Sequence, residues 1–327
     1  VVRLDPDQPS TPPEEAADAG ARTLLSPESA EDADDTETLS DGEALTLTQA
    51  SEIRGKEASR FVLLIGELDT GKTSLVSQMY SAFLKGPFAG HLFSGSQTLQ
   101  AFERRCFRTR ISSGAIDASF PRTLFSEGIH VLHLRLCNSS LPASPPVNLL
   151  IADTSGERFR QIRENERTEV LEISRLSHLA DAIVLILDGR QLSDKRERQL
   201  AVSRLKTVIR AVREAGGINV ASCVDFVITK IDLLPSHERD GTFIRDVFEE
   251  LSLAIGSVHR VGHHLVAALP LHDDQVPERL GVDSLLQGWL TVGDAYVAND
   301  HSPPFPLSRP ARAFLRYDGA LKTKALL

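Results

Sequence analysis

A chain of 327 residues that is 41% hydrophobic can bury one large α/β domain or two small ones. Its net charge of −9 is concentrated at the start: residues 1 to 52 hold fourteen acids against Arg3 and Arg22, a net −12, which leaves the rest at +3 and argues against a nucleic-acid partner. Three scattered cysteines, Cys106, Cys137 and Cys223, exclude a disulfide scaffold or zinc knuckle, and no apolar run reaches the ~18 residues of a membrane span.

In chain order, residues 1 to 57 are rich in Pro and acids and poor in aromatic and β-branched residues, so they read as a disordered acidic segment. A short helix around Leu45 to Ile53 is compatible with the pattern. There is no basic stretch followed by an apolar run at the start, so no signal peptide is expected and the cytoplasm is the expected location. The folded region is expected over 58 to 300, with a Pro-rich extension over 301 to 327.

Phe61 to Ile65 reads as a strand and Lys72 to Leu84 as a helix. Between them lies Gly66-Glu67-Leu68-Asp69-Thr70-Gly71-Lys72-Thr73, followed by Ser74, which fits the phosphate-binding pattern G-x-x-x-x-G-K-[ST] in the strand-to-helix context it needs. Successive N–H groups at a helix N-terminus cradle phosphate; Lys72 would reach the β and γ phosphates and the Thr73 hydroxyl would hold Mg²⁺. The stretch 88 to 105 reads as a long loop leading into a helix over Ser96 to Phe107. Thr98 in it is either a second Mg²⁺ hydroxyl or part of a helix cap around Ser94 or Ser96.

Ile129 to Cys137 alternates as a half-exposed edge strand, whereas Val147 to Ala152 is apolar on both faces, as in a central parallel strand. Asp153-Thr154-Ser155-Gly156-Glu157 follows. An acid at that strand end is placed for Mg²⁺, and Gly156 can offer its N–H to a γ-phosphate. Helices are expected over Glu164 to Leu179 and Asp194 to Glu214, with the strand Ala182 to Leu187 between them. Arg158, Arg160 and Arg163 read as surface residues, with charge supplied in cis as the other reading; Arg104, Arg105, Arg108 and Arg110 read as a solvated or partner-facing surface.

The strand Val224 to Ile228 leads into Thr229-Lys230-Ile231-Asp232. A carboxylate there can accept two hydrogen bonds from guanine and would be left unpaired by adenine, a costly outcome for a buried charge. The Lys230 stem can lie over the purine, and Thr229 can tie the loop to the phosphate loop. A helix over Thr242 to Ile255, a strand over His264 to Ala268 and a helix over Val282 to Leu290 complete the pattern. His259, His263, His264 and His272 have no recognised zinc spacing. Met79, Tyr80 and Trp289 read as packing residues. The alternation predicts a three-layer α/β fold with a mostly parallel central sheet, one antiparallel edge strand and helices on both faces.

These three motifs, in this order over residues 61 to about 292, resemble the small GTPase-like branch of the translation-factor-related P-loop GTPases. The resemblance implies GTP or GDP and Mg²⁺ as ligands, Lys72, Gly156 and Glu157 in the reaction, and a protein partner that reads the nucleotide. It places Thr73, Thr98 and Asp153 around the metal and a backbone N–H of Ala268, in Ala267-Ala268-Leu269, near the guanine O6. Thr229 departs from the usual Asn, and Glu157 stands where signalling members carry a water-orienting Gln, which implies slow intrinsic turnover. The segment 88 to 105 is similar to a bacterial double-GTPase group found in conflict or signalling systems. Two rival readings remain: a nucleotide-binding interaction module without hydrolysis, and an ATPase or nucleotide kinase, against which the guanine-type loop argues.

Overall fold

The computed structural model describes residues 41–107, 129–141, 143–239, 242–270 and 276–291. Residues 1–40 of the expected acidic segment 1–57, the expected extension 301–327, and Arg108, Arg110 and His272 lie outside them.

The order begins with α1 (Leu47–Lys56), β1 (Ser59–Gly66), α2 (Lys72–Lys85), β2 (His91–Gly95), α3 (Leu99–Phe107), β3 (His130–Asn138) and β4 (Val147–Asp153). It continues with α4 (Gly156–Arg163), α5 (Arg167–Leu179), β5 (Ala182–Asp188), α6 (Gly189–Ser193), α7 (Lys195–Glu214) and β6 (Cys223–Thr229). After a 3-10 turn at Ile231–Leu233 come α8 (Ser236–Arg239), α9 (Thr242–Ile255), β7 (Arg260–Leu265) and α10 (Val282–Thr291). The strands form one sheet in the order β2-β3-β4-β1-β5-β6-β7. β4, β1, β5, β6 and β7 are mutually parallel, and β3 runs antiparallel to both of its neighbours.

Alternation along the strands divides the core into two layers, because successive side chains leave opposite faces of a sheet. Phe61, Leu63 and Ile65 of β1 face α5, α7 and α9, with Ile173, Leu205 and Leu251 among the partners. Val62 and Leu64 face α2, α3 and α10, with Met79, Phe102 and Trp289. Strands buried on both faces read as continuous apolar runs, as β1 and β5 do. The chain builds outward from β1 first toward β4 and then toward β5, which places a crevice beyond the carboxyl end of β1, where open α/β sheets take their ligands.

The last strand is Arg260–Leu265 where His264 to Ala268 was expected, and three larger differences from the sequence expectation bear on the site. First, residues 41–56 are part of this unit. Thr46 and Gln49 form a reciprocal capping box at the start of α1, Leu45 pairs with Val131, and Arg54 binds Asp181 at 3.2 Å. Asp181 in turn accepts the Phe61 N–H at 2.7 Å. Acidic composition masked a segment fixed by long-range contacts. Second, β3 is covered by β2 and so lies inside the sheet; His-Leu-Phe-Ser-Gly is too short and too mixed to announce a strand by pattern. Third, the stretch Gly156–Arg163, which lies before the helix expected from Glu164, is the helix α4, capped by the Ser155 hydroxyl, which accepts the Arg158 N–H.

Candidate nucleotide site

The phosphate loop is shaped by two residues in the left-handed region, Asp69 (φ 59) and Gly71 (φ 86). Gly71 is the N-cap of α2 and meets that geometry without a Cβ penalty. The Thr70 hydroxyl donates to Glu67 O at 2.9 Å. Lys72 is buried, and its ammonium donates to Gly66 O and Glu67 O, both at 2.8 Å. Burial lowers its pKa to about 8, against the opposing pull of Asp153, Asp69 and Glu67. The Glu67 carboxylate reaches across the fold to Arg204 of α7 at 3.0 Å and to Arg163 of α4 at 4.0 Å. Leu68 is exposed, and Ser74 stands half-buried in the first turn of α2.

The end of β4 meets this loop directly. The Thr73 hydroxyl donates to Asp153 Oδ2 at 3.2 Å, and Asp153 is buried. A hydroxyl beside a carboxylate is an all-oxygen donor pair of the kind Mg²⁺ takes together with phosphate and water. Thr154 donates to Leu64 O at 2.6 Å and so locks the β4 exit to β1. Gly156 lies flat on the phosphate loop: a Cβ there would fall 2.4 Å from both the N and the Cα of Leu68. Glu157 follows on the exposed side of α4. Arg158 turns inward instead, to Glu169 at 2.7 Å and Glu172 at 2.6 Å on α5. Burial raises the Glu169 pKa, and Arg158 opposes that shift.

The β6 exit closes the third side. The Thr229 hydroxyl donates to Thr70 O at 2.6 Å, with Leu187 O at 3.1 Å. Lys230, itself left-handed (φ 50), extends its ammonium to Asp69 O at 2.5 Å and Asp188 Oδ2 at 2.7 Å. Asp232 is half-buried on the following 3-10 turn. The Ile231 N–H donates to Val266 O at 3.2 Å, which carries the buried Ala268 alongside the same loop. The exits of β4 and β6 are thus each hydrogen-bonded to the loop after β1.

A family profile described as Double-GTPase 2 matches residues 60–290, most of the chain. The chain belongs to the Double-GTPase 2 family. No curated protein matches it. Among solved structures, one of Methanosarcina barkeri Roco2 RocCORdC bound to GDP is similar at 16% identity and a TM-score of 0.36. That likeness covers 76% of this chain, which spans about half of the other (54%).

The remaining sequence candidates of this Double-GTPase 2 protein fall elsewhere. Thr98 is not brought to the Thr73–Asp153 pair. It is fully buried at the start of α3, where its hydroxyl accepts the His133 N–H at 3.0 Å and lies 3.4 Å from His133 O. His133 pairs with Leu150, three residues before Asp153 on β4, so Thr98 is set back roughly 10 Å along the sheet at about 3.3 Å per residue. The Ser96 hydroxyl accepts the Thr98 N–H at 2.9 Å, in the turn that leads into α3. His133 completes this knot, with Gln97 N–H donating to its Nδ1 at 3.0 Å and Nε2 2.9 Å from Asn148 Oδ1. Burial lowers its pKa. Of the arginines expected at a surface, Arg158 is buried in the clamp to α5, while Arg104 pairs with Glu43 at 2.8 Å. His263 stacks on Phe248 and His264 faces Asp225, both within the β6–β7 flank. Among the described residues no group of His, Cys, Asp and Glu is arranged to hold a metal by itself, and no helix is long and apolar enough to cross a membrane. Arg204 and Asp188, which no motif flags, pair with the motif residues Glu67 and Lys230 from elements far apart in sequence.

Proposed function

We propose that this protein binds GTP with Mg²⁺, hydrolyses it slowly to GDP and phosphate, and uses the difference to control a protein partner in the cytoplasm. The observation that carries the reading is the mutual closure of the three motif loops, with Thr73 on Asp153 and Thr229 on Thr70 O. Such closure builds one ligand site from three strand ends.

Each residue has a defined task. The amides of 67 to 73 and the start of α2 receive phosphate oxygens. Lys72 leaves its resting carbonyls for the β and γ phosphates, and the gain of that partner keeps it protonated. Thr73 and Asp153 would hold Mg²⁺, whose charge would be shared by the terminal phosphates. Asp232 accepts the guanine N1 and N2 protons, and the Lys230 stem covers the purine. Ala268 offers its N–H to guanine O6. Gly156 rests on Leu68, so α4 is the element that a γ-phosphate displaces or recruits. Glu157 can orient water, but a carboxylate near the γ-phosphate is electrostatically unfavourable, in keeping with slow turnover. Its exposed position favours the second reading, a binding module without hydrolysis.

Calorimetry with GTP, GDP, ATP and ADP on wild type and Asp232→Ala tests the base assignment. The variant loses hydrogen bonds to a charged acceptor, about 1.5–3 kcal/mol each, and a guanine-specific loss is expected. Equal affinity for both bases in wild type refutes it. Phosphate release under single-turnover conditions separates the two readings.

A further inference from the structure

β5 ends on Asp188 and α6 begins on Gly189, and both residues face the loop assigned to the base. Asp188 is the register partner of Thr229. Its carboxylate is buried, with one oxygen accepting the Arg190 N–H at 2.9 Å and the other the Lys230 ammonium at 2.7 Å. Lys230 also reaches Asp69 O, so its side chain is stretched between β5 and the phosphate loop. Its backbone is left-handed (φ 50, ψ 41), a state a Lys keeps when its surroundings enforce it. Gly189 supplies the enforcement from the other side. A Cβ on it would lie 2.4 Å from Thr229 O and 2.7 Å from Lys230 O. The side chain and the backbone of the same turn are thus held by two consecutive residues of another strand end.

We propose that Asp188 and Gly189 are the positioning residues that set guanine selectivity. Asp188 fixes the Lys230 stem by charge, Gly189 fixes the 229–230 carbonyls by close contact, and together they aim the Asp232 carboxylate. This rests on the reading of Thr229 to Asp232 as the base loop. Neither residue touches the base; a recognition group needs support of this kind to hold its place within about 0.5 Å.

The test is the affinity of the full chain for GDP, ADP and pyrophosphate with Mg²⁺, for wild type, Asp188→Asn and Gly189→Ala. Asn keeps the size of Asp and can still accept the Arg190 N–H, but it loses the charge. GDP affinity is expected to fall about tenfold in Asp188→Asn, the usual coupling for groups in contact. Pyrophosphate affinity should stay within about threefold, and ADP, which shares the Lys230 stem but not the Asp232 contact, should lose less than GDP, so the GDP-to-ADP ratio drops. In a Lys230→Met background the Asp188→Asn effect should vanish, since the charge acts through Lys230. The Gly189→Ala effect should persist there. Thermal melting identifies a variant that fails to fold, and Gly189→Ala then reads the same ratio on its own. An unchanged ratio in both variants, or a parallel loss for all three ligands, overturns the proposal while leaving the base assignment standing. No preference for GDP in wild type overturns the base assignment itself.

Discussion

Raising the pH from ~7 to ~9 carries Lys72 of the free protein through its pKa of about 8. The group is held low by desolvation, so its neutral form is the cheaper one above that pH. A phosphate ligand requires the ammonium. With a pKa of about 8, the protonated fraction falls from about 0.9 at pH 7 to about 0.09 at pH 9, so GDP affinity should fall about tenfold, or ~1.4 kcal/mol. Calorimetry in buffers of different ionisation enthalpy should show proton uptake on binding above about pH 8. Lys72→Arg is the control, because guanidinium stays charged throughout while the ligand titrates identically. The same pH slope in wild type and Lys72→Arg would refute the assignment. The sign for stability is separate. The folded pKa lies below the unfolded one, so the unfolded chain binds more protons between about pH 8 and 10.5. Apo stability from this group therefore rises with pH across that window, by about 3 kcal/mol in total, and is lost as pH falls through about 8.

Thr98→Val should cost about 1–3 kcal/mol in urea denaturation, since the buried His133 N–H loses its acceptor, yet leave Mg²⁺-dependent GDP affinity unchanged. Loss of the Mg²⁺ dependence without loss of stability would restore Thr98 to the metal site. Arg158→Met leaves Glu169 and Glu172 without their shared cation and should destabilise by about 3–5 kcal/mol. Burial already raises the Glu169 pKa, so the folded state binds its proton more readily and the deficit should shrink as pH falls into the acid range; a pH-independent deficit counts against the clamp. Gly156→Ala forces a Cβ onto the Leu68 backbone and should cost about 1–3 kcal/mol while lowering single-turnover GTP cleavage; wild-type melting and turnover would show that α4 does not rest there.

The sequence carried the chemistry of the site more fully than its supports. Gly66 to Thr73, Asp153 to Gly156 and Thr229 to Asp232 are local strings at strand ends, and local strings can be read directly. The tie from Thr229 to the phosphate loop was expected, and the structure supplies its acceptor, Thr70 O. Arg204 meets Glu67 across 137 positions, and Asp188 meets Lys230 across 42, so neither pair has a spacing that a pattern could reveal. α4 gives a weak pattern because only Phe159 and Ile162 supply large apolar side chains to the core, in a stretch otherwise made of Glu157, Arg158, Arg160, Gln161 and Arg163. The two readings of Thr98 stay open in the sequence for a related reason: a hydroxyl in that stretch says nothing about the strand it will meet, here β3 at His133.

The strand β2 has a mechanical consequence. Residues 91 to 95 are laddered to β3, Phe93 packs edge-on to Tyr80, and 96 to 98 are knotted to His133. Drawing this stretch toward a phosphate would peel an edge strand off the sheet. α4 is held to the phosphate loop by a glycine contact and the long Arg163–Glu67 pair, with no ladder to break. If the bound phosphates change as proposed, α4 would move more readily than β2, and the Arg158 clamp would pass a tilt of that helix to α5. On the proposed function, a partner that senses the bound nucleotide would do so on the α4–α5 side.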